Sequence, residues 1–411
     1  MHSRLNRRTF LKSTSLIALG ATAPALLRQT AHAIEGRGNE RILVVIQLSG
    51  GNDGINTVVP FNDEGYAKHR PKLKLNADRL IKVSDDVALH PSMKAAAELL
   101  DDGRFAVVQG VGYPNPNRSH DVSMAIWQTA RFDPEEHKTF GWIGRAADER
   151  PAPADGSPHA MLIGTESPPI ALRGRRSTTA ALAHLGDLRL SAGAAIATVP
   201  TGGTRDELLS FASQTTADSR ATAQLLEHLN AQGGDASGYP ESELSKRLRS
   251  VSQLIKAGFS TPVYYAIQSG YDTHAAQSAT HSRLLRELSA AMRAFLQDLQ
   301  AARLSERVLV LCFSEFGRRV SENASLGTDH GTAGPVFVAG EAIHAGLFGE
   351  TPNLSDLDGD DLKMQFDFRQ VYATILDDWL GVASTSILGG TFEPLKLTSS
   401  CSRETAVPRP A

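Results

Sequence analysis

Residues able to do chemistry gather in five short segments of this chain. They are Ser49-Gly50-Gly51-Asn52-Asp53-Gly54-Ile55-Asn56, Asn117-Arg118-Ser119-His120-Asp121, Ser269-Gly270-Tyr271-Asp272-Thr273-His274 (with Gln277 and His281 beyond), Ser314-Glu315-Phe316-Gly317-Arg318-Arg319, and Gly327-Thr328-Asp329-His330-Gly331. Carboxylates and imidazoles brought to one place hold a divalent metal. Oxygen ligands suit magnesium, calcium or manganese, and added histidines shift the preference toward zinc or iron. With a hydroxyl or an activated water nearby, such a centre can attack a phosphate or sulfate ester while the cation neutralises developing charge. Each segment also has a plainer reading. Gly50 to Gly54 makes a strand-exit turn, Asp272 caps a helix, Glu315 pairs locally with Arg318 or Arg319, and Asp329-His330-Gly331 closes a hydrogen-bonded turn. His90, His137, His184 and His344 read as surface or structural histidines.

The elements around these segments give the shared site its weight. Continuous β-branched runs too short for helices predict buried strands at Ile42–Leu48, Phe105–Gln109, Ala160–Ile163, Val263–Ile267, Val308–Phe313 and Val336–Ala339. Helical spacing of apolar residues predicts helices over Met93–Leu100, Glu207–Leu229, Glu241–Ala257 and Ser282–Leu304. Alternation of the two implies an α/β fold with a mostly parallel sheet covered on both faces. In such a sheet the loops that follow the strands open on one edge, where ligands bind. Three acidic loops follow three separate predicted strands, so they are expected to converge. Breaks at Pro151–Pro158 and Gln232–Pro240 bracket a segment, about 165–250, that reads as a small helical insertion on a single domain spanning about 41–381.

The start of the chain reads as an address. Arg7-Arg8 is followed by Phe10 and Leu11, a short apolar run, and Ala31-His32-Ala33. This is the layout of a twin-arginine signal peptide cleaved after Ala33, too short and interrupted to span a bilayer core that takes about 20 apolar residues. It predicts passage through the twin-arginine translocase and a periplasmic or extracellular destination, with no transmembrane anchor after cleavage. Cleavage leaves 378 residues and removes five basic and no acidic ones, so the formal charge becomes −8. A mildly acidic chain offers no footprint for nucleic acid. The two cysteines, Cys312 and Cys401, are not expected to pair, and the last residues, 399–411, are expected to be a disordered tail. A redox enzyme is disfavoured, because no GxGxxG follows the first strand and no CxxC occurs.

In order, LSGGNDGINTVVP, ALHPSM, NRSHDVSMAIWQTA, GYDTHAAQ, SEFGRR and GTDHGTAGPVFVAG resemble the exported family catalogued as domain of unknown function 1501. The likeness runs from about Arg41 to Gly381. That family is grouped with the alkaline phosphatase and sulfatase superfamily, which implies a doubly wound α/β sandwich with a metal-assisted hydrolase site at the sheet edge. The resemblance implies Asp53, Asp272, His274, Glu315 and His330 as metal ligands. It puts Ser119, or His120, in the region of the nucleophile, with His120 alternatively a general acid. Asn52, Asn56 and Asp329 become supporting groups, and Arg318 a receptor for an anionic small-molecule or polymer ester. Two departures stand out: Asp272 and His274 are spaced i, i+2 where the superfamily typically has i, i+4, and Phe316 stands where it has histidine. A single-metal hydrolase and a non-catalytic exported binding protein on the same fold are both expected readings.

Overall fold

The computed structural model describes residues 40–153, 157–183 and 238–398. The expected signal peptide, the predicted helix Glu207–Leu229, Cys401 and the expected tail 399–411 lie outside the described residues.

The frame is a nine-stranded sheet. Its members are β1 (Ile42–Ser49), β5 (Phe105–Gly112), β6 (Ala160–Ile163), β7 (Thr179–Leu182), β8 (Val263–Ser269), β9 (Val308–Ser314), β10 (Gly334–Gly340), β11 (Gly346–Phe348) and β12 (Phe366–Asp367), with β1 between β8 and β9. A small separate sheet joins β2 (Val58–Val59), β3 (Ile81–Lys82) and β4 (Ala88–Leu89). In the main sheet β1 pairs parallel with both neighbours, and only β10 runs backwards, antiparallel to β5 and β9.

The pleat explains why the strands read as unbroken apolar runs. Ile42, Val44, Ile46 and Leu48 of β1 point into one core, shared with α2 (Lys94–Asp101), α5 (Glu243–Lys256) and α6 (Gln277–Ala301). Leu43 and Val45 point the other way, into a core shared with α3 (His120–Thr129), α4 (Trp142–Asp148) and α7 (Phe368–Thr374). Both faces are buried, as a parallel sheet requires. The expected doubly wound α/β class is therefore the observed one. The two ends of the expected insertion belong to this frame: β7 pairs with β6, and α5 packs in the first core.

Strand direction brings five segments to one edge. Loops after β1, β8 and β9 leave the carboxyl end of the sheet side by side, with Ser49 level with Ser269 and Leu48 with Ser314. Because β10 is reversed, the segment that precedes it reaches the same edge. The segment after β5, which runs with β1, arrives there too and starts α3 at His120.

A candidate metal centre at the sheet edge

Four side chains from three of these segments meet, three imidazoles around one oxygen of the fourth. Oδ1 of Asp272 lies 3.0 Å from Nε2 of His274, 3.1 Å from Nε2 of His330 and 3.4 Å from Nε2 of His120. The ligand atoms of His120, Asp272 and His330 all fall within 4.8 Å of one another. His274 adds a third imidazole, its Nε2 only 2.8 Å from that of His330.

The far side of each ring has a fixed acceptor. Nδ1 of His120 faces Glu315 at 2.8 Å, Nδ1 of His274 faces Asp329 at 3.1 Å, and Nδ1 of His330 faces the Arg118 carbonyl at 2.7 Å. A carbonyl or an ionised carboxylate can only accept, so each Nδ1 donates its proton there and each neutral Nε2 is left with a bare lone pair. Three lone pairs thus face a carboxylate oxygen, and two face each other. Lone pairs repel at such distances unless a cation or proton lies between them. Nε2 of His120 is buried without a hydrogen-bond partner. Three imidazoles and one carboxylate, each imidazole oriented by an acceptor behind it, are the donor set and outer support of a zinc-type site.

The loops that carry these groups are clamped by Arg318, whose side chain is fully buried. It donates to the carbonyls of Gly50, Gly51 (2.9 Å), Tyr271 (3.0 Å) and Thr328 (2.8 Å), and to Asp272 Oδ1 at 2.6 Å. One guanidinium therefore ties together the segments after β1 and β8 and the one before β10. Arg318 is thus a brace, and the expectation that it receives the anionic part of a substrate is corrected: its side chain is fully buried and bonded to the loops. Gly50, at φ +121°, is forced by this crowding, since a Cβ there would sit 2.3 Å from the Asp272 amide. Burial pushes the Asp272 carboxyl up, but the Arg318 hydrogen bond and charge outweigh that and hold it at about 2. The Glu315 hydrogen bond raises His120 above the ordinary imidazole value.

Asp53 and Glu315, expected as metal ligands, are placed otherwise. Asp53 is 1 % exposed and grips Arg70 through both oxygens, at 2.6 and 2.9 Å, with Gln277 also donating to it. Burial alone would raise its pKa; the Arg70 charge and hydrogen bonds prevail and lower it. Glu315 stands behind His120, where its carboxylate also accepts from the Gly50 amide at 2.8 Å and the Gly51 amide at 3.3 Å. His120, expected as nucleophile or acid, joins the metal-type cluster. Ser119 sits at the N-cap of α3, exposed, and its hydroxyl caps no backbone amide. Asn52 accepts from Thr57 and His281, each at 3.0 Å, and Asn56 bridges the Leu73 carbonyl and the Tyr66 hydroxyl, so these bonds tie neither residue to the cluster. Asp272 does not cap α6, whose N-cap is Ala276.

Sequence reasoning did not anticipate Arg70. It comes from the turn that ends α1 (Glu64–His69), and nothing in its surroundings marks it as the partner of Asp53. Phe316, flagged only as a departure, packs its ring 4.9 Å from that of His120 and 4.8 Å from that of His330.

The family model described as protein of unknown function, DUF1501, matches residues 40–400. The chain belongs to the DUF1501 family. No curated protein matches it in sequence. Among solved structures it is similar to the PsFucS1 sulfatase from Pseudoalteromonas sp., at 11 % identity and TM-score 0.43, covering 92 % of this chain and 76 % of that one. It is also similar to a protein in the alkaline phosphatase superfamily from Vibrio parahaemolyticus (12 %, TM-score 0.39, 94 % and 78 % covered). A third is the C-terminal periplasmic domain of EcEptC from Escherichia coli, in complex with zinc (9 %, TM-score 0.38, 83 % of each chain). Among the described residues of this DUF1501 protein, no helix is long and apolar enough to cross a membrane.

Proposed function

We propose that this DUF1501 protein is a metal-dependent hydrolase of a phosphate or sulfate ester, holding one divalent cation through His120, His274, His330 and Asp272. Zinc fits this donor set ahead of calcium, magnesium or manganese, because three of the four ligands are imidazoles. The observation that carries the reading is the convergence of three Nε2 atoms whose opposite nitrogens are all fixed by acceptors. Bound there, the ion supplies Lewis acidity toward an ester oxygen. Glu315 and Asp329 keep the rings aimed and raise their basicity. Phe316 covers one side of His120 and His330 and keeps water off it. Ser119, exposed one residue before His120, is the protein's own candidate nucleophile. The twin-arginine leader supports export in the folded state, through the twin-arginine translocase, to the periplasm or beyond.

A second reading, a metal-holding but inert binding protein, draws support from Ser119 and Arg318. No base is hydrogen-bonded to the serine hydroxyl, as a serine nucleophile would need, and Arg318 is spent on the loops. One experiment separates the two. Elemental analysis of the purified mature chain is expected to give about one zinc per chain, lost in His330→Ala, with turnover of 4-nitrophenyl phosphate, bis(4-nitrophenyl) phosphate or 4-nitrophenyl sulfate that falls with the metal. Zinc without turnover favours the binding protein; absence of any stoichiometric metal ends both versions of the site.

A further inference from the structure

We infer that the cleft beside the histidine cluster receives a polyhydroxylated ring, such as a sugar unit, and that Asp361 takes one of its hydroxyl groups. Taken with the hydrolase reading, on which only this step rests, the ring is the alcohol part of the ester. The cleft has a volume of about 570 Å³, within the roughly 300–1,000 Å³ of small-molecule sites. Arg118 joins it to the cluster: its carbonyl accepts from His330 Nδ1, and its side chain lines the cleft. One rim is stiff, with Asn115 in the left-handed region (φ 53°) between Pro114 and Pro116.

The feature that points to a ligand is an unmet acceptor. The Asp361 side chain is 2 % exposed; its Oδ2 pairs with Arg118, whereas its Oδ1 is buried with no hydrogen-bond partner. An ionised carboxylate can only accept, and a buried acceptor left unmet is costly, so the fitting occupant brings a donor. An ammonium group is a poor choice, because the Arg118 guanidinium already neutralises Asp361 and would repel a second cation. A hydroxyl suits both partners: it donates to Oδ1 and accepts from the guanidinium. Arg118, with a side chain 46 % exposed, is free to shift as the ligand enters. Tyr113, Leu362 and Met364 add apolar surface to the same cleft, and Met364 is one of only four large apolar side chains left exposed among the described residues. Apolar walls with a hydroxyl receptor match a ring with C–H faces and a hydroxylated edge.

Calorimetric titration of the purified mature chain with methyl glucoside, methyl galactoside and N-acetylglucosamine, against cyclohexanol as a ring of similar size with a single hydroxyl, tests this. At least one sugar is expected to bind and cyclohexanol not to. Asp361→Asn should weaken that sugar by about tenfold or more, the loss of a hydrogen bond to a charged group. Met364→Ala should weaken it by about threefold through lost apolar contact. Absence of sugar binding, or wild-type affinity in Asp361→Asn, overturns the inference. Should Asp361→Asn fail to fold by circular dichroism, unchanged affinity in Met364→Ala, an exposed position, overturns it instead. Sugar binding without turnover of any ester upholds the cleft and ends the hydrolase reading. Turnover of 4-nitrophenyl esters without sugar binding does the reverse.

Discussion

Two groups of histidine, aspartate and arginine lie at the same sheet edge, and they differ in whether the protein completes them. Behind the loop after β1, Arg70 meets Asp53 through both nitrogens, Gln277 adds a third bond, and His281 is fixed on Asn52. That group is buried, and its Asp53 and Arg70 charges are paired. In the outer group Arg318 is spent mostly on carbonyls, Asp272 remains half-exposed, and three imidazoles aim their Nε2 atoms at it. The residue types are the same. What separates structure from candidate chemistry is the count of donors against acceptors, since a surplus of lone pairs calls for a cation and a balanced set calls for nothing.

The sharpest way to break this comparison is Asp53→Ala. It strands the buried Arg70 and is expected to destabilise the fold by about 3–5 kcal/mol, measured by urea denaturation, while the refolded fraction keeps the metal content of the wild type. Loss of metal with unchanged stability would move Asp53 into the outer group. Next comes pH. Burial holds both His281 and His90 down at about 4, so both are neutral in the fold. The unfolded chain protonates these rings first as pH falls through about 6.5, so their stabilising effect is lost between there and about 4, with no further loss below. For the fully buried His281 the loss is of order 3 kcal/mol. A denaturation series across that window should flatten in His281→Gln; an unchanged slope would remove the ring from the balance. The smallest effect belongs to the support of the outer group. Asp329→Asn should weaken zinc affinity about 10–100-fold, read by competition with a chelator, and leave the denaturation midpoint of the metal-free protein nearly unmoved. A large stability loss with full zinc affinity would make Asp329 a structural residue.

The frame was legible because burial on both faces writes itself as unbroken β-branched runs, and all six predicted strands are present within a few residues. Convergence of the acidic loops followed from the same reading. Strand direction did not, because a strand buried on both faces has the same pattern either way; the reversal of β10, which brings Asp329 and His330 to the edge, has no local signature. The short β11, β12 and the small sheet are pairings of two or three residues, below what periodicity can carry. Among the site residues, Asp272, His274 and His330 do meet, because each lies immediately beyond or before a strand end. Asp53 departs from its expected role because it pairs with Arg70, a partner that spacing cannot reveal. Glu315 departs from its expected role because its carboxylate accepts from the amides of the Gly50-Gly51 turn, a long-range pairing with no local signature.

The Arg318 clamp has a consequence for how cation binding and folding are linked. Apart from Asp272 and His274, two residues apart, the candidate ligands are far apart along the chain. An unfolded polypeptide therefore presents scattered, weak donors, and ion capture is credited almost entirely to the native state. Free metal at about 100 times its dissociation constant would then deepen the folded well by about 2.7 kcal/mol, and a chelator would reveal it as a drop in melting temperature.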